Sequence, residues 1–185
     1  MYLIVGLGNP EPEYSMTRHN MGFDVINKLS KKYDIKVEKK KFDALIGSGE
    51  IEGEKVILFK PQTFMNESGQ ALRKVMDFYK LHTSDIIIIY DDIDLPECTV
   101  KIRKKGGAGN HNGMKSVVEV LEDLDFARVR IGTGQPEFKE LLISHVIGKM
   151  SEEQYKVLEP AIDKATLATI DIIKYGVDKA MNLNN

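Results

Sequence analysis

A chain of 185 residues, 42% of them hydrophobic, is long enough to bury a substantial core and reads as one domain over residues 1–185. Its 26 basic and 28 acidic side chains leave a formal charge of −2, which gives no global sign of nucleic-acid binding. The single cysteine, Cys98, rules out an intrachain disulfide, and no secretory leader or membrane-spanning stretch is visible, so a soluble cytoplasmic protein is expected.

Residues 2–7 form a short apolar run containing β-branched Ile4 and Val5 and closing on Gly6-Leu7-Gly8, which predicts a buried strand with Asn9 just past its carboxyl end. A dinucleotide-binding reading of these glycines fails at position 11, where the fingerprint needs a third glycine and this chain has Glu11 between Pro10 and Pro12. From Met21 onward, Phe23, Ile26, Leu29 and Tyr33 recur at helical spacing, with Asn20 suited to the N-cap. His19 therefore stands immediately before a helix amino terminus, where the helix dipole favours the neutral ring that can accept a proton.

Residues 44–50 and 55–59 read as two strands joined by a hairpin turn at Glu52-Gly53-Glu54. After Pro61, the spacing of Leu72, Val75, Met76 and Tyr79 predicts a helix to about Lys80. Four isoleucines and a tyrosine at 86–90 predict a central strand covered on both faces. Strand, helix, strand in succession implies parallel strands joined by a right-handed crossover. If strand 2–7 runs parallel to them, the loops after all three share one sheet edge, where ligands bind in open α/β sheets. Those loops carry Asn9 and His19, then Phe64 and Asn66, then Asp91.

Further on, the sequence predicts a strand at 99–103, a loop from Gly106 to Gly113, a helix at 114–121 and a strand at 127–131. A long helix capped by Ser151 runs to about Lys174, and a short last helix starts at Val177. The fold class is α/β, a single domain with a twisted mixed β-sheet flanked by helices.

Two chemistries compete for the strand end at 91–94. Asp91, Asp92 and Asp94 could hold a divalent cation, making a carboxylate-metal phosphohydrolase; alternatively Asp91 alone accepts a hydrogen bond from His19 and makes it a better base. No nucleophile elbow is present, Ser48 has the wrong spacing and Cys98 lacks an adjacent base, which leaves base-activated water. Of the two basic runs, Lys36, Lys39, Lys40 and Lys41 read as a solvated face. Lys101, Arg103, Lys104 and Lys105 lead into the glycine-rich loop and read as a phosphate-facing surface. Asn112 is suited to cap the helix after that loop, while His82 and His145 read as surface or structural residues.

The chain closely resembles the bacterial peptidyl-tRNA hydrolases, essentially end to end. The resemblance is carried by Gly6-Leu7-Gly8-Asn9-Pro10, Tyr14, Thr17-Arg18-His19-Asn20, the run from Lys60 to Gly69, Asp91-Asp92-Ile93-Asp94-Leu95-Pro96, Gly109-Asn110-His111-Asn112-Gly113 and Arg128-Val129-Arg130-Ile131-Gly132. It implies hydrolysis of the ester joining a peptide to the 3′-terminal adenosine of tRNA, with neither cofactor nor metal. His19 would be the base that activates water, Asp91 its supporting carboxylate and Asn9 a contact to the peptide backbone. Tyr14, Phe64, Asn66 and Asn112 would line the substrate cleft, and Lys101, Arg103, Lys104, Lys105, Arg130 and Lys139 would meet tRNA phosphates. Peptidyl-tRNA is the implied partner, with no membrane and no obligate protein partner, and a monomer is expected. The rivals are the metal phosphohydrolase and a noncatalytic RNA-binding module. Glu11, Cys98 and Asn110 stand where the family usually has glycine, which bears on loop shape and leaves the catalytic positions unchanged.

Overall fold

The computed structural model describes residues 1–185. Seven strands form one mixed sheet: β1 (Tyr2–Gly6), β2 (Lys39–Lys41), β3 (Ala44–Ile51), β4 (Glu54–Pro61), β5 (Ile86–Asp92), β6 (Val100–Lys105) and β7 (Asp125–Gly132). Their order across the sheet is β2-β3-β4-β1-β5-β7-β6. The expected parallel set is present: β1 lies between β4 and β5 and is parallel to both, and β7 extends the set beyond β5. β3 and β4 form the expected hairpin, its two turn residues Glu52 (φ 51) and Gly53 (φ 83) both left-handed, as a tight hairpin turn requires. Antiparallel β2 and β6 close the two edges.

Six helices cover the faces: α1 (Met21–Tyr33), α2 (Ser68–Tyr79), α3 (Asn112–Leu121), α4 (Leu142–Ile147), α5 (Glu152–Tyr175) and α6 (Val177–Asn184). On one face, Val25, Ile26 and Leu29 of α1, Leu158, Ile162 and Ala165 of α5 and Ala180 of α6 pack on Ile4, Leu58, Ile87, Ile89 and Val129. On the other, Leu72, Val75 and Met76 of α2 and Met114 and Val117 of α3 pack on Leu3, Val5, Phe59, Ile86 and Ile88. The alternation of β1 and β5 residues between these two cores is why both strands are apolar throughout, since neither face meets water.

Ser151 caps α5 as expected, and Gln154 completes the reciprocal pair of cap bonds. Two elements were not legible in the sequence. β2 is the run of three lysines, a composition depleted in strands, and it is an edge strand on which lysines discourage further pairing. α4 is a six-residue helix too short to show a helical period.

The position of α1 follows from a close approach of two glycines. A Cβ on Gly6 would strike the carbonyl of Gly22, and one on Gly22 would lie 2.5 Å from Ile89 O and Leu7 N. The first turn of α1 therefore rests directly on the ends of β1 and β5, which brings the residues just before it over the sheet edge. Gly22→Ala must push the helix off the sheet. Overpacking of about 1–3 kcal/mol, at roughly 2–4 °C per kcal/mol for a chain of this size, is expected to lower Tm by about 2–12 °C. Thermal unfolding at fixed pH checks this, and an unchanged Tm would show that the helix can shift without cost.

Candidate active site

At the carboxyl edge of the parallel strands, three side chains from three separate elements meet. Asp91 comes from the end of β5, His19 from the single 3-10 turn Arg18–Asn20 that leads into α1, and His111 from the residue capping α3. His19 Nδ1 lies 2.7 Å from Asp91 Oδ2, and His111 Nε2 lies 2.9 Å from Asp91 Oδ1. All three are buried, Asp91 at 2% exposure and His19 at 8%. The imidazoles sit 4.6 Å apart, and Tyr90 stacks edge-on against His111.

The hydrogen bonds assign the tautomers. The backbone N–H of Met114 donates to His111 Nδ1 at 3.2 Å, so that nitrogen carries no proton and Nε2–H donates to Asp91. Asp91, as a carboxylate, accepts from both rings. His19 then donates from Nδ1 and presents the lone pair of Nε2, which has no partner in the protein, to the cleft. Burial alone pushes the His19 pKa down, but the charge of Asp91 and the hydrogen bond to it outweigh burial, and the pKa is raised above its ordinary value. For Asp91, burial pushes the pKa up, and the two imidazoles more than offset it, holding the carboxyl below its usual range.

The three aspartates of the metal reading are drawn apart. Asp91 turns to the histidines, Asp92 pairs with Arg130 at 2.7 Å, and Asp94 accepts from the Gln135 amide at 3.2 Å. All three line the same cavity, but each carboxylate is engaged by a different partner. The group with metal-like spacing is instead His19, Asp91 and His111, whose facing atoms lie within 4.8 Å of one another. Those atoms are already joined by hydrogen bonds. A cation there would require His111 Nε2 to lose its proton, moving it to Nδ1 against the N–H of Met114.

The triad opens into a cavity of about 370 Å³, walled by β5, the glycine loop, β7 and α4. Arg103, Lys105 and Arg130 line one side and Leu142, Ile143 and Val146 another. Asp92 and Asp94 line it too, Asp92 paired with Arg130, so cations, carboxylates and apolar side chains share the cavity with His19.

The family model described as peptidyl-tRNA hydrolase matches residues 3–185. The chain belongs to the peptidyl-tRNA hydrolase family. The peptidyl-tRNA hydrolase of Caldanaerobacter subterraneus subsp. tengcongensis is 51% identical over 185 residues, covering 100% of both chains, and that of Alkaliphilus metalliredigens 49% over the same length. A crystal structure of peptidyl-tRNA hydrolase from Acinetobacter baumannii superposes with a TM-score of 0.92 at 38% identity, covering 100% of this chain and 94% of that one.

Of the residues that the resemblance to peptidyl-tRNA hydrolases singled out, the structure brings His19, Asp91, Asn112, Arg103, Lys105 and Arg130 to one cavity. Asn9, Tyr14, Phe64 and Asn66 lie outside its walls. Phe64, 67% exposed, precedes the 3-10 turn Met65–Glu67 that carries exposed Asn66, and this turn packs on α3 through Met65 beside Gly113. Lys139 is exposed in the turn before α4. The basic run on β6 is split. Arg103 and Lys105 face the cavity, whereas Lys104 points to the opposite face and pairs with Asp178 at 2.7 Å, and Lys101 donates to the carbonyl of Asn185. Strand alternation separates Lys104 from Arg103 and Lys105, while Lys101, on the same side of the strand as Arg103, is taken up by the last residue of the chain.

Two caps also differ from expectation. His111, not Asn112, caps α3 with its side chain, leaving the Asn112 amide unbonded in the first turn. Asn20 occupies the N-cap position of α1 but turns its side chain to Asn9, accepting from its N–H at 2.8 Å and donating to its carbonyl at 2.9 Å. That two-point bond fixes the loop of Asn9 to the residue next to His19. His111 is the one member of the triad that sequence reasoning passed over. Its only sequence signal was its place in the Gly109–Gly113 motif, because a histidine twenty residues beyond Asp91 has no local spacing to betray the contact. Among the glycine replacements, Cys98 adopts the left-handed backbone (φ 63) that suits glycine, Glu11 is extended, and the loop takes its left-handed turn at Gly109, leaving Asn110 outside that region.

Proposed function

We infer that this chain hydrolyses the ester between peptide and tRNA in peptidyl-tRNA, releasing free tRNA, with His19 as general base and Asp91 as the carboxylate that holds it. The observation that carries this is the 2.7 Å bond from His19 Nδ1 to Asp91, which leaves Nε2 as an unpartnered acceptor on a cavity with a basic wall. Water bonded to Nε2 gives up a proton to the ring as its oxygen attacks the ester carbonyl. The tetrahedral intermediate then expels the ribose oxygen, which takes the proton back from the imidazolium. The products are the peptide acid and the tRNA hydroxyl, and Asp91 stays ionised throughout.

Neutral amides suit this substrate. A peptidyl ester presents amide groups where a free aminoacyl ester presents an ammonium, and Asn9, Asn66 and Asn112 can bond the former in both directions. On this reading, Tyr14 and exposed Phe64, which lie outside the cavity walls, would extend the cleft that holds the peptide and the tRNA 3′ end. The Asn112 amide shares the cavity with His19 and sits at a helix amino terminus, which favours it as a donor to the developing oxyanion. We read the chain as a monomer acting as a single domain. No helix is long and apolar enough to cross a membrane; we place the reaction in the cytoplasm, where translation supplies its substrate.

Release of N-acetyl-amino acid from N-acetyl-aminoacyl-tRNA tests this reading. Cleavage unaffected by EDTA is the expected result. Abolition by EDTA would return the site to metal chemistry, and no cleavage would leave only RNA binding.

The split basic strand predicts different effects from its two faces. Arg103→Ala with Lys105→Ala removes two cations of the cavity wall and is expected to weaken tRNA binding and flatten its log K against log salt slope by about 1–2, since each phosphate contact contributes a little under one unit. Lys104→Ala removes a cation held by Asp178 and should leave the slope unchanged. Binding titrations over a salt series distinguish the two, and equal effects would show that tRNA reaches both faces.

A further inference from the structure

Arg128 is the largest fully buried side chain of the protein, 1% exposed in the middle of β7. No carboxylate pairs with it. Its guanidinium lies 4.2 Å from the centre of the Phe126 ring and donates to two backbone carbonyls, Nη1 to Gly107 at 2.6 Å and Nη2 to Leu124 at 3.1 Å. Burial of the charge pushes its pKa down, as does nearby Arg130, while Tyr90 opposes them. A buried cation without an anion is unfavourable unless its hydrogen bonds are needed, and an apolar residue of like volume would pack β7 at lower cost.

What the guanidinium holds is the glycine loop. Leu124 O accepts from Gly106 N–H as well as from Arg128, so the start of the loop, the start of β7 and the guanidinium are tied at one point. The Arg128 bond to Gly107 is the one hydrogen bond made by residues 107–110. A Cβ on Gly107 or Gly109 would touch nothing within 4 Å, and between them only Ala108 packs on the core, so the Arg128 bond is the polar restraint on this stretch. The same four residues lead directly to His111, which buttresses Asp91, and to Asn112 on the cavity wall.

We propose that Arg128 is a positioning residue for the reaction: by clamping the 106–110 loop it sets His111 and Asn112 in register with the His19–Asp91 pair. This rests on the reading of the cleft given under the proposed function. Lysine keeps the charge but cannot span both carbonyls, and alanine leaves a slot lined by two acceptors and the Phe126 face.

The test measures kcat, KM and the pH profile for hydrolysis of N-acetyl-aminoacyl-tRNA by Arg128→Lys and Arg128→Ala, with amide exchange at Gly106 and Met114. Arg128→Lys is expected to lower kcat by about tenfold to a hundredfold, the scale of a displacement of an ångström at a catalytic group. KM and the acid limb of the profile should stay near wild type, and both amides should exchange faster while those of α5 do not change. Added methylguanidinium should restore part of the activity of Arg128→Ala, and methylammonium should not. A folded Arg128→Lys with wild-type kcat and wild-type exchange would overturn the proposal, as would equal rescue by both cations. The exchange measurement needs no substrate, so it reads the clamp even if the assignment of the reaction itself fails.

Discussion

His19→Ala is expected to reduce kcat for N-acetyl-aminoacyl-tRNA by at least about 10²–10⁴-fold, the range for removing a positioned general base, with KM close to wild type. The separation of the two constants follows from placement. His19 is 8% exposed and its Nδ1 is committed to Asp91, so it offers little surface for contact with a bound substrate, while the cations Arg103 and Lys105 lie elsewhere on the cavity wall. Removing the ring deletes an interaction that matters only when water is losing its proton. A variant that still bound tRNA and retained wild-type kcat would sink the base assignment and leave a binding module.

Asp91→Asn is the second large effect, and its size comes from the fixed tautomer of His111. An asparagine offers one acceptor and one donor where the aspartate offers two acceptors. His111 must donate from Nε2 because Met114 N–H already occupies Nδ1. The amide oxygen is therefore drawn to His111, and the amide NH₂ faces His19 Nδ1. His19 then accepts at Nδ1 and carries its proton on Nε2, the nitrogen that should take a proton from water. The opposite orientation sets the NH₂ against His111 Nε2–H, which destabilises the fold. Either way kcat should fall by about 10²–10⁴-fold, the upper end matching a base held in the wrong tautomer.

The pH dependence carries the same signature. In the wild type, Asp91 holds the His19 pKa above its ordinary value of about 6.5, so kcat/KM rises with pH through that raised value. Without the carboxylate, burial acts alone, and the acid limb of the residual activity moves to lower pH. Stability runs the other way. A histidine whose folded pKa is raised contributes stability that is fully present below about pH 6.5 and is lost as pH rises through the folded value. The protonated pair that most stabilises the fold is thus the inactive form. In Asp91→Asn this part of the Tm against pH curve should flatten, and a Tm profile that kept its wild-type slope would show that the pair is not coupled to folding.

Much of the scaffold was legible because local periodicity reports it directly. The apolar runs at 2–7 and 86–90, the hairpin around Gly53 and the amphipathic spacing of α1, α2 and α3 all lie within a few residues of where the sequence placed them. His19 and Asp91 were legible as a pair because both follow features that point to the same sheet edge, a helix start and a buried strand end. The lysines of β2 were not, since an edge strand made of lysine is a tertiary choice that contradicts local preference.

By itself, then, the sequence determined the α/β class, the shared edge of the parallel strands and the candidate pair His19 and Asp91, because each depends on residue type and short-range spacing. Only the tertiary structure decided which neighbours in the chain become partners in space. It brought His111 to Asp91, turned the Asn20 amide onto Asn9 and placed Arg128 beneath the glycine loop, all contacts between residues eleven or more apart. It also divided Lys104 from Lys105, since a strand sends successive side chains to opposite faces and those faces meet different elements. The physical reason is common to all four: hydrogen bonds and charges are satisfied by whatever the packing of helices on the sheet brings within 3 Å, and that distance is not written in local pattern.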